Sequence, residues 1–190
     1  MDKTFISAED LLRDSMTLGI RILESGYRPS FIVGVWRGGA PVGIAVQEIL
    51  EFYGFETDHI AIRTSSYGGG TEPGKEVQVY GLGHLVDTVN AEDQLLIVDD
   101  VFDSGRSVEA LIAELYKRCR RNTPEDIRVA TVYYKPTKNK TNRVPDFYIH
   151  ETDKWLVFPH ELRGCTEDEL RQHKPLPEAA YNLKLDAKPA

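Results

Sequence analysis

The run Gln94-Leu95-Leu96-Ile97-Val98 constrains this chain most, because four consecutive aliphatic residues leave no polar face for solvent. Such a run reads as a strand covered on both sides, the habit of parallel sheets flanked by helices. It stops abruptly. Asp99 and Asp100 end it, and Asp103, Ser104, Gly105, Arg106 and Ser107 lead into a helix predicted to end near residue 121. The first amides of a helix have no partner within it, and glycine permits close backbone approach. The turn therefore suits a phosphate monoester. Two carboxylates just ahead of it can accept hydrogen bonds from vicinal sugar hydroxyls, or stand beside a magnesium ion.

The rest of the chain repeats the alternation. Ser7-Ala8-Glu9-Asp10 resembles a capping box, and apolar residues then recur at near-helical spacing until residues 24–26. Residues 31–35 form a second apolar run, followed by a glycine turn and a helix over 41–53. Further strands are predicted at 58–63, 77–80, 127–134, 147–150 and 154–158. Residues 64–75, rich in Ser, Gly and Pro, are expected to form a mobile loop. The pattern predicts an α/β fold with a mainly parallel central sheet and helices on both faces. Ligands in such folds bind beyond the carboxyl ends of the strands. One domain is expected over residues 1–174, with a loosely held tail over 175–190.

Composition narrows the function. A formal net charge of −7 argues against sequence-independent nucleic-acid binding, while a pocket of backbone amides can still take a small anion. No apolar run approaches the roughly 20 residues that span a bilayer. The N-terminal segment is amphipathic and unlike a signal-peptide core, so no membrane partner and a cytoplasmic location are expected. Cys119 and Cys165 lack metal-ligand spacing and read as reduced thiols. Asn139-Lys140-Thr141 has the letters of a glycosylation sequon and is set aside for a cytoplasmic chain.

The segment Leu95–Ser107, with apolar residues, two acids and a loop of Asp, Ser, Gly and Ser, resembles the phosphoribosyl pyrophosphate (PRPP) motif of type I phosphoribosyltransferases. The resemblance implies that family's fold, with a small hood from chain segments outside the core. It implies that Asp99 and Asp100 hold the ribose hydroxyls. Asp103, Ser104, Gly105, Arg106 and Ser107 would hold the 5′-phosphate. Trp36-Arg37-Gly38-Gly39 is similar to the family's pyrophosphate loop, where paired glycines expose amides and Arg37 offers a forked donor. Trp36 departs from the smaller residue usual there, and its ring is expected to pack under the loop. Ser66-Tyr67 resembles the pair that opens a flexible lid, whose closure would keep water from the activated sugar.

Resemblance to the purine-salvage branch suggests the acceptor. The matching Asp in 6-oxopurine enzymes is placed to interact with N7, which makes Asp103 the candidate catalytic acid or base. Lys135 would donate to the purine O6, which an exocyclic amine cannot replace as an acceptor. Trp155 would stack on the base, Leu156 would offer backbone hydrogen bonds, and Glu161 would join Asp99 and Asp100 around Mg2+. Residues 154–161 resemble the base-binding stretch of bacterial and archaeal xanthine-guanine and hypoxanthine-guanine enzymes, although His160 replaces a Trp found in several. The implied reaction joins the phosphoribosyl group of PRPP to N9 of hypoxanthine, guanine or xanthine, in a homodimer or homotetramer. Two alternatives stay open. One is the same transfer to orotate, uracil or adenine, and the other is a PRPP-sensing regulator that binds nucleic acid.

Overall fold

The aliphatic run at residue 95 occupies the middle of a six-stranded sheet in the computed structural model, which describes residues 3–66 and 77–183. In chain order the elements are β1 (Lys3–Phe5), α1 (Ala8–Glu24), β2 (Phe31–Trp36), α2 (Gly39–Phe52), β3 (Asp58–Ser66) and β4 (Val77–Tyr80). Then come α3 (Gly83–Thr88), β5 (Gln94–Phe102), α4 (Arg106–Cys119), β6 (Asp126–Tyr134), β7 (Phe147–Glu151), β8 (Trp155–Val157), α5 (Glu167–His173) and α6 (Glu178–Tyr181). Two compact units result. One spans Leu12–Asp153, and the other combines Met1–Leu11 with Lys154–Ala190.

The larger unit holds the sheet in the order β4-β3-β2-β5-β6-β7. Only β4 runs antiparallel to its neighbour. Alternation along a strand sends side chains to opposite faces. Leu95 and Ile97 accordingly join Val33, Val35, Leu85, Leu111 and Leu115 in one core layer. Leu96 and Val98, equally buried, point to the other face, where α2 lies against β2 and β5. The predicted α/β architecture is present.

Two boundaries differ from expectation. The strand expected to stop at Val98 continues to Phe102, because β6 runs alongside and pairs Asp99 with Thr131, Val101 with Tyr133 and Phe102 with Tyr134. The two acids are thus held within the ladder. Likewise, residues 64–66 belong to β3 and not to a loop, since β4 pairs with them from Thr64↔Val79 to Ser66↔Val77. Tyr67 and the remainder of the expected loop lie outside the described residues.

The smaller unit is built from both ends of the chain. Strand β1 pairs parallel with β8, matching Lys3 to Trp155, Thr4 to Leu156 and Phe5 to Val157. Ser7 caps α1 by accepting from the Asp10 amide at 3.0 Å. Helix α5 starts on a full capping box, Thr166 with Glu169. Arg171 then bonds Glu167 and Glu178 and stacks over Tyr181 at 3.9 Å, which ties α6 to α5. Among the described residues, no helix is long and apolar enough to cross a membrane.

Candidate active site

The carboxyl ends of β2 and β5 are adjacent in the sheet, so the loop after β2 meets the acids of β5. The contact is very close. A Cβ on Gly38 would fall 1.9 Å from Asp100 Oδ2, and one on Gly39 would fall 2.2 Å from the Val98 carbonyl oxygen. Only glycine fits at either position. The Asp99 carboxylate accepts from the amides of Asp100 and Gly39. Asp100 is buried. Burial first, and the neighbouring Asp100 charge second, push the Asp99 carboxyl well above the usual carboxylate range. Two adjacent acids in this state gain from further hydrogen-bond donors and from positive charge. Ribose hydroxyls would supply the first and a cation the second.

Arg37 is exposed, as its expected role requires, and the Trp36–Arg37 peptide is cis. Trp36 corrects the expectation made for it. Its ring does not pack under the loop but stands 54% exposed, on the rim of an apolar hollow of about 300 Å³ lined by Ile32, Gly34, Ala40 and Ile44.

Beyond β5 the chain turns through Asp103 and Ser104 into α4. Gly105 is the N-cap with φ of 76°, a conformation that a side chain resists. A Cβ there would also meet the Phe102 ring and Thr141 Oγ1, both at 2.7 Å. The amides of Arg106, Ser107 and Val108 open the helix without intrahelical partners. Asp99, Asp103, Ser104, Gly105 and Ser107 line a small cavity of about 80 Å³ in front of them. The geometry suits one anionic group held mainly by backbone.

Lys135 follows β6, its amide donating to the Phe102 carbonyl at 2.9 Å. Its Nζ stands 3.1 Å from Asp103 Oδ2. The lysine side chain is 12% exposed and the aspartate 49%, so the ammonium is the enclosed member of the pair. The structure thus joins two residues that the sequence reading gave separate roles toward one purine.

The predicted base-binding residues belong to the smaller unit. Trp155 is half-exposed, and Leu156, Val157 and Phe158 are buried. The Ile6 amide donates to the Val157 carbonyl at 3.0 Å, so the backbone groups of Val157 face β1. Adjacent residues of a strand direct theirs oppositely, and those of Leu156 face the other edge, where no strand pairs among the described residues. An open edge of this kind can read a planar heterocycle. Glu161 closes the next turn, accepting from the Phe158 amide at 3.0 Å and donating its own amide to the Phe158 carbonyl at 2.9 Å.

Sequence reasoning missed the support of the phosphate turn. The Asn139 side chain accepts from the Thr141 amide at 2.9 Å and donates to the Arg143 carbonyl at 2.8 Å, and the Lys140 amide donates to the Ser104 carbonyl at 3.0 Å. The tripeptide set aside as a sequon therefore braces Ser104 and packs against Gly105. Its signal was present as an Asx turn.

Among the described residues, no three His, Cys, Asp or Glu side chains gather as a metal cage. The Asp99–Asp100 pair nevertheless fits magnesium, which commonly takes one or two carboxylates and completes its shell with water and substrate phosphate oxygens.

A model of the phosphoribosyl transferase domain matches residues 7–163, and the chain belongs to that family. It is similar to the hypoxanthine-guanine phosphoribosyltransferase of Bacillus subtilis, 30% identical over 164 residues that cover 85% of each chain. The xanthine-guanine phosphoribosyltransferase of Cereibacter sphaeroides is 29% identical over 168 residues, 83% of this chain and 86% of the relative. Among solved structures, the purine phosphoribosyltransferase of Pyrococcus horikoshii superposes with a TM-score of 0.65 at 28% identity, covering 88% of this chain and 99% of the other.

Proposed function

We propose that this chain transfers the 5-phosphoribosyl group of PRPP to N9 of a 6-oxopurine in purine salvage, with magnesium as cofactor. The observation that carries the reading is the Lys135–Asp103 pair beside the phosphate turn. An oxopurine offers both members a better use: O6 accepts from the ammonium, and a proton on N7 faces the carboxylate. The purine names of the Bacillus and Pyrococcus relatives support the same class.

The residues divide the work. The amides opening α4, with Ser104 and Ser107, hold the 5′-phosphate, and Asp99 and Asp100 accept from the ribose hydroxyls. Arg37 and the Gly38-Gly39 amides bind the pyrophosphate. Asp99 and Asp100, with Glu161, would hold magnesium, which when bound would supply charge neutralisation for pyrophosphate. Trp155 stacks on the purine and Leu156 bonds its edge. N9 forms a bond to C1′ as the bond from C1′ to the pyrophosphate oxygen breaks, its electron pair leaving with pyrophosphate. Asp103 accepts the N7 proton. The remaining rate enhancement comes from positioning and fixed charge.

The test is pyrophosphate release from PRPP and Mg2+ with each of hypoxanthine, guanine, xanthine, adenine, uracil and orotate. Turnover is expected with at least one oxopurine, and Asp103→Asn is expected to lower kcat by about 10²- to 10⁴-fold. Turnover restricted to adenine, uracil or orotate would overturn the acceptor.

A further inference from the structure

The proposed mechanism leaves a buried charge in the smaller unit without a role. Lys174 directly follows α5, is only 6% exposed, and donates from Nζ to the Phe158 carbonyl at 2.5 Å. Lysine is almost never fully buried unless paired, and a lysine at a helix end ordinarily bonds its own last carbonyls in water. This one reaches across to the turn that follows β8. Glu161 also closes that turn, through the two bonds described above, and the Phe158 and His160 rings stack within it at 5.7 Å.

The surroundings are equally fixed. Lys174 Nζ lies 5.7 Å from the centroid of Phe5, and the neighbouring His173 ring stacks on Phe5 at 4.1 Å and 11°. At the other end of α5, Lys3 Nζ bonds the Gly164 carbonyl at 2.8 Å and the Glu169 carboxylate at 2.7 Å. Residues 3 and 5 of β1 thus meet both ends of α5, while β1 itself pairs with β8. Among the described residues, the lysine's bond links the end of α5 to the β8 turn. An apolar side chain of similar length would fill its space and leave the Phe158 carbonyl to the Glu161 amide.

We propose that Lys174 is a positioning residue for the purine: by holding the Phe158 carbonyl it fixes β8, and so the Leu156 backbone groups and the Trp155 ring that receive the base. The inference rests on the base-binding role proposed above for Trp155 and Leu156. Loss of the bond should loosen the acceptor subsite far more than the PRPP subsite, whose proposed ribose and phosphate contacts lie in the other unit.

The experiment compares the full chain with Lys174→Met and Lys174→Arg, using amide hydrogen exchange over residues 155–161 and separate KM values for PRPP and for the preferred oxopurine. In Lys174→Met, faster exchange at Phe158 and Glu161 is expected. KM for the oxopurine should rise about tenfold or more, as misplaced contacts commonly cost, with a much smaller change in KM for PRPP. Lys174→Arg, which keeps a charged donor, should restore most of both. Should Lys174→Met fail to fold, Lys174→Gln carries the same two measurements. Unchanged exchange, or the two KM values rising together, would overturn the proposal. If the unmodified chain turns over no oxopurine, the acceptor reading fails by itself, and exchange over 155–161 still decides whether Lys174 holds β8.

Discussion

From Val98 to Ser107 the groups proposed to face a ligand are short side chains and backbone amides, set by the end of one strand and the start of one helix. From Trp155 to Glu161 the groups proposed to face a base sit on a three-residue strand, held by Phe5, Glu161 and Lys174. The first region leaves no room: a Cβ on Gly105 would meet Phe102, and one on Gly38 or Gly39, in the loop after β2, would meet Asp100 or Val98. The second leaves space around a half-exposed Trp155. A site made of backbone resists substitution but holds its shape unaided. One made of supported side chains accepts substitution and depends on distant residues to stay in place.

Gly39→Ala should show the largest effect. The added Cβ meets Val98 O at 2.2 Å and Asp99 Cα at 3.0 Å, and both are backbone atoms that cannot rotate away. A loss of about 1–3 kcal/mol is expected from overpacking, seen in thermal melts, together with loss of PRPP binding by calorimetry. A variant that melts and binds normally would break the contrast between the regions. Trp155→Ala should be milder and of another kind. Stability should move by less than about 0.5 kcal/mol, as for exposed substitutions, while KM for the oxopurine rises roughly fivefold, at the low end of base–aromatic stacking. An equal rise in KM for PRPP would show that the regions are not separable.

The smallest effect is a pH slope. Because the folded chain holds the Asp99 proton above its unfolded pKa, the folded state binds more protons in that interval, and stability falls as pH rises through it. Melts of the ligand-free protein should therefore decline from about pH 4, the unfolded value, until Asp99 is ionised. Asp99→Asn should flatten the slope, and PRPP with Mg2+ should reduce it. A profile identical in Asp99→Asn would show that burial of this acid does not govern the site's electrostatics.

The phosphate side was legible in the sequence because its parts are contiguous: an aliphatic run, two acids and a glycine turn are one strand–turn–helix. The β5 boundary was misjudged for a related reason. Asp99 and Asp100 look like a strand end until β6 is known to continue beside them. The other region was harder to read. Trp155 and Leu156 were found through resemblance, but β1 has only three residues and no periodicity, and its partner lies at the opposite end of the chain. Lys174 read as the last residue before a loosely held tail, since nothing in its neighbours indicates a carbonyl sixteen positions away. Trp36 shows the reverse error: an indole beside a glycine loop suggests packing, yet its ring stands half-exposed on the rim of an apolar hollow.

Gly38 and Asp100 limit the changes open to a descendant of this protein. Any side chain at 38 begins 1.9 Å from the carboxylate at 100, so position 38 can vary only where that carboxylate turns aside or is shortened. Under the proposed roles, a path toward a new leaving group that starts there first disturbs an acid assigned to the sugar. No glycine of that kind stands between Trp155 and Glu161. New acceptors are reachable by single steps, each of which can be kept or discarded on its merits. A new donor requires two coordinated changes, so libraries for altered acceptor choice belong in the 155–161 segment, with residues 38 and 100 held constant.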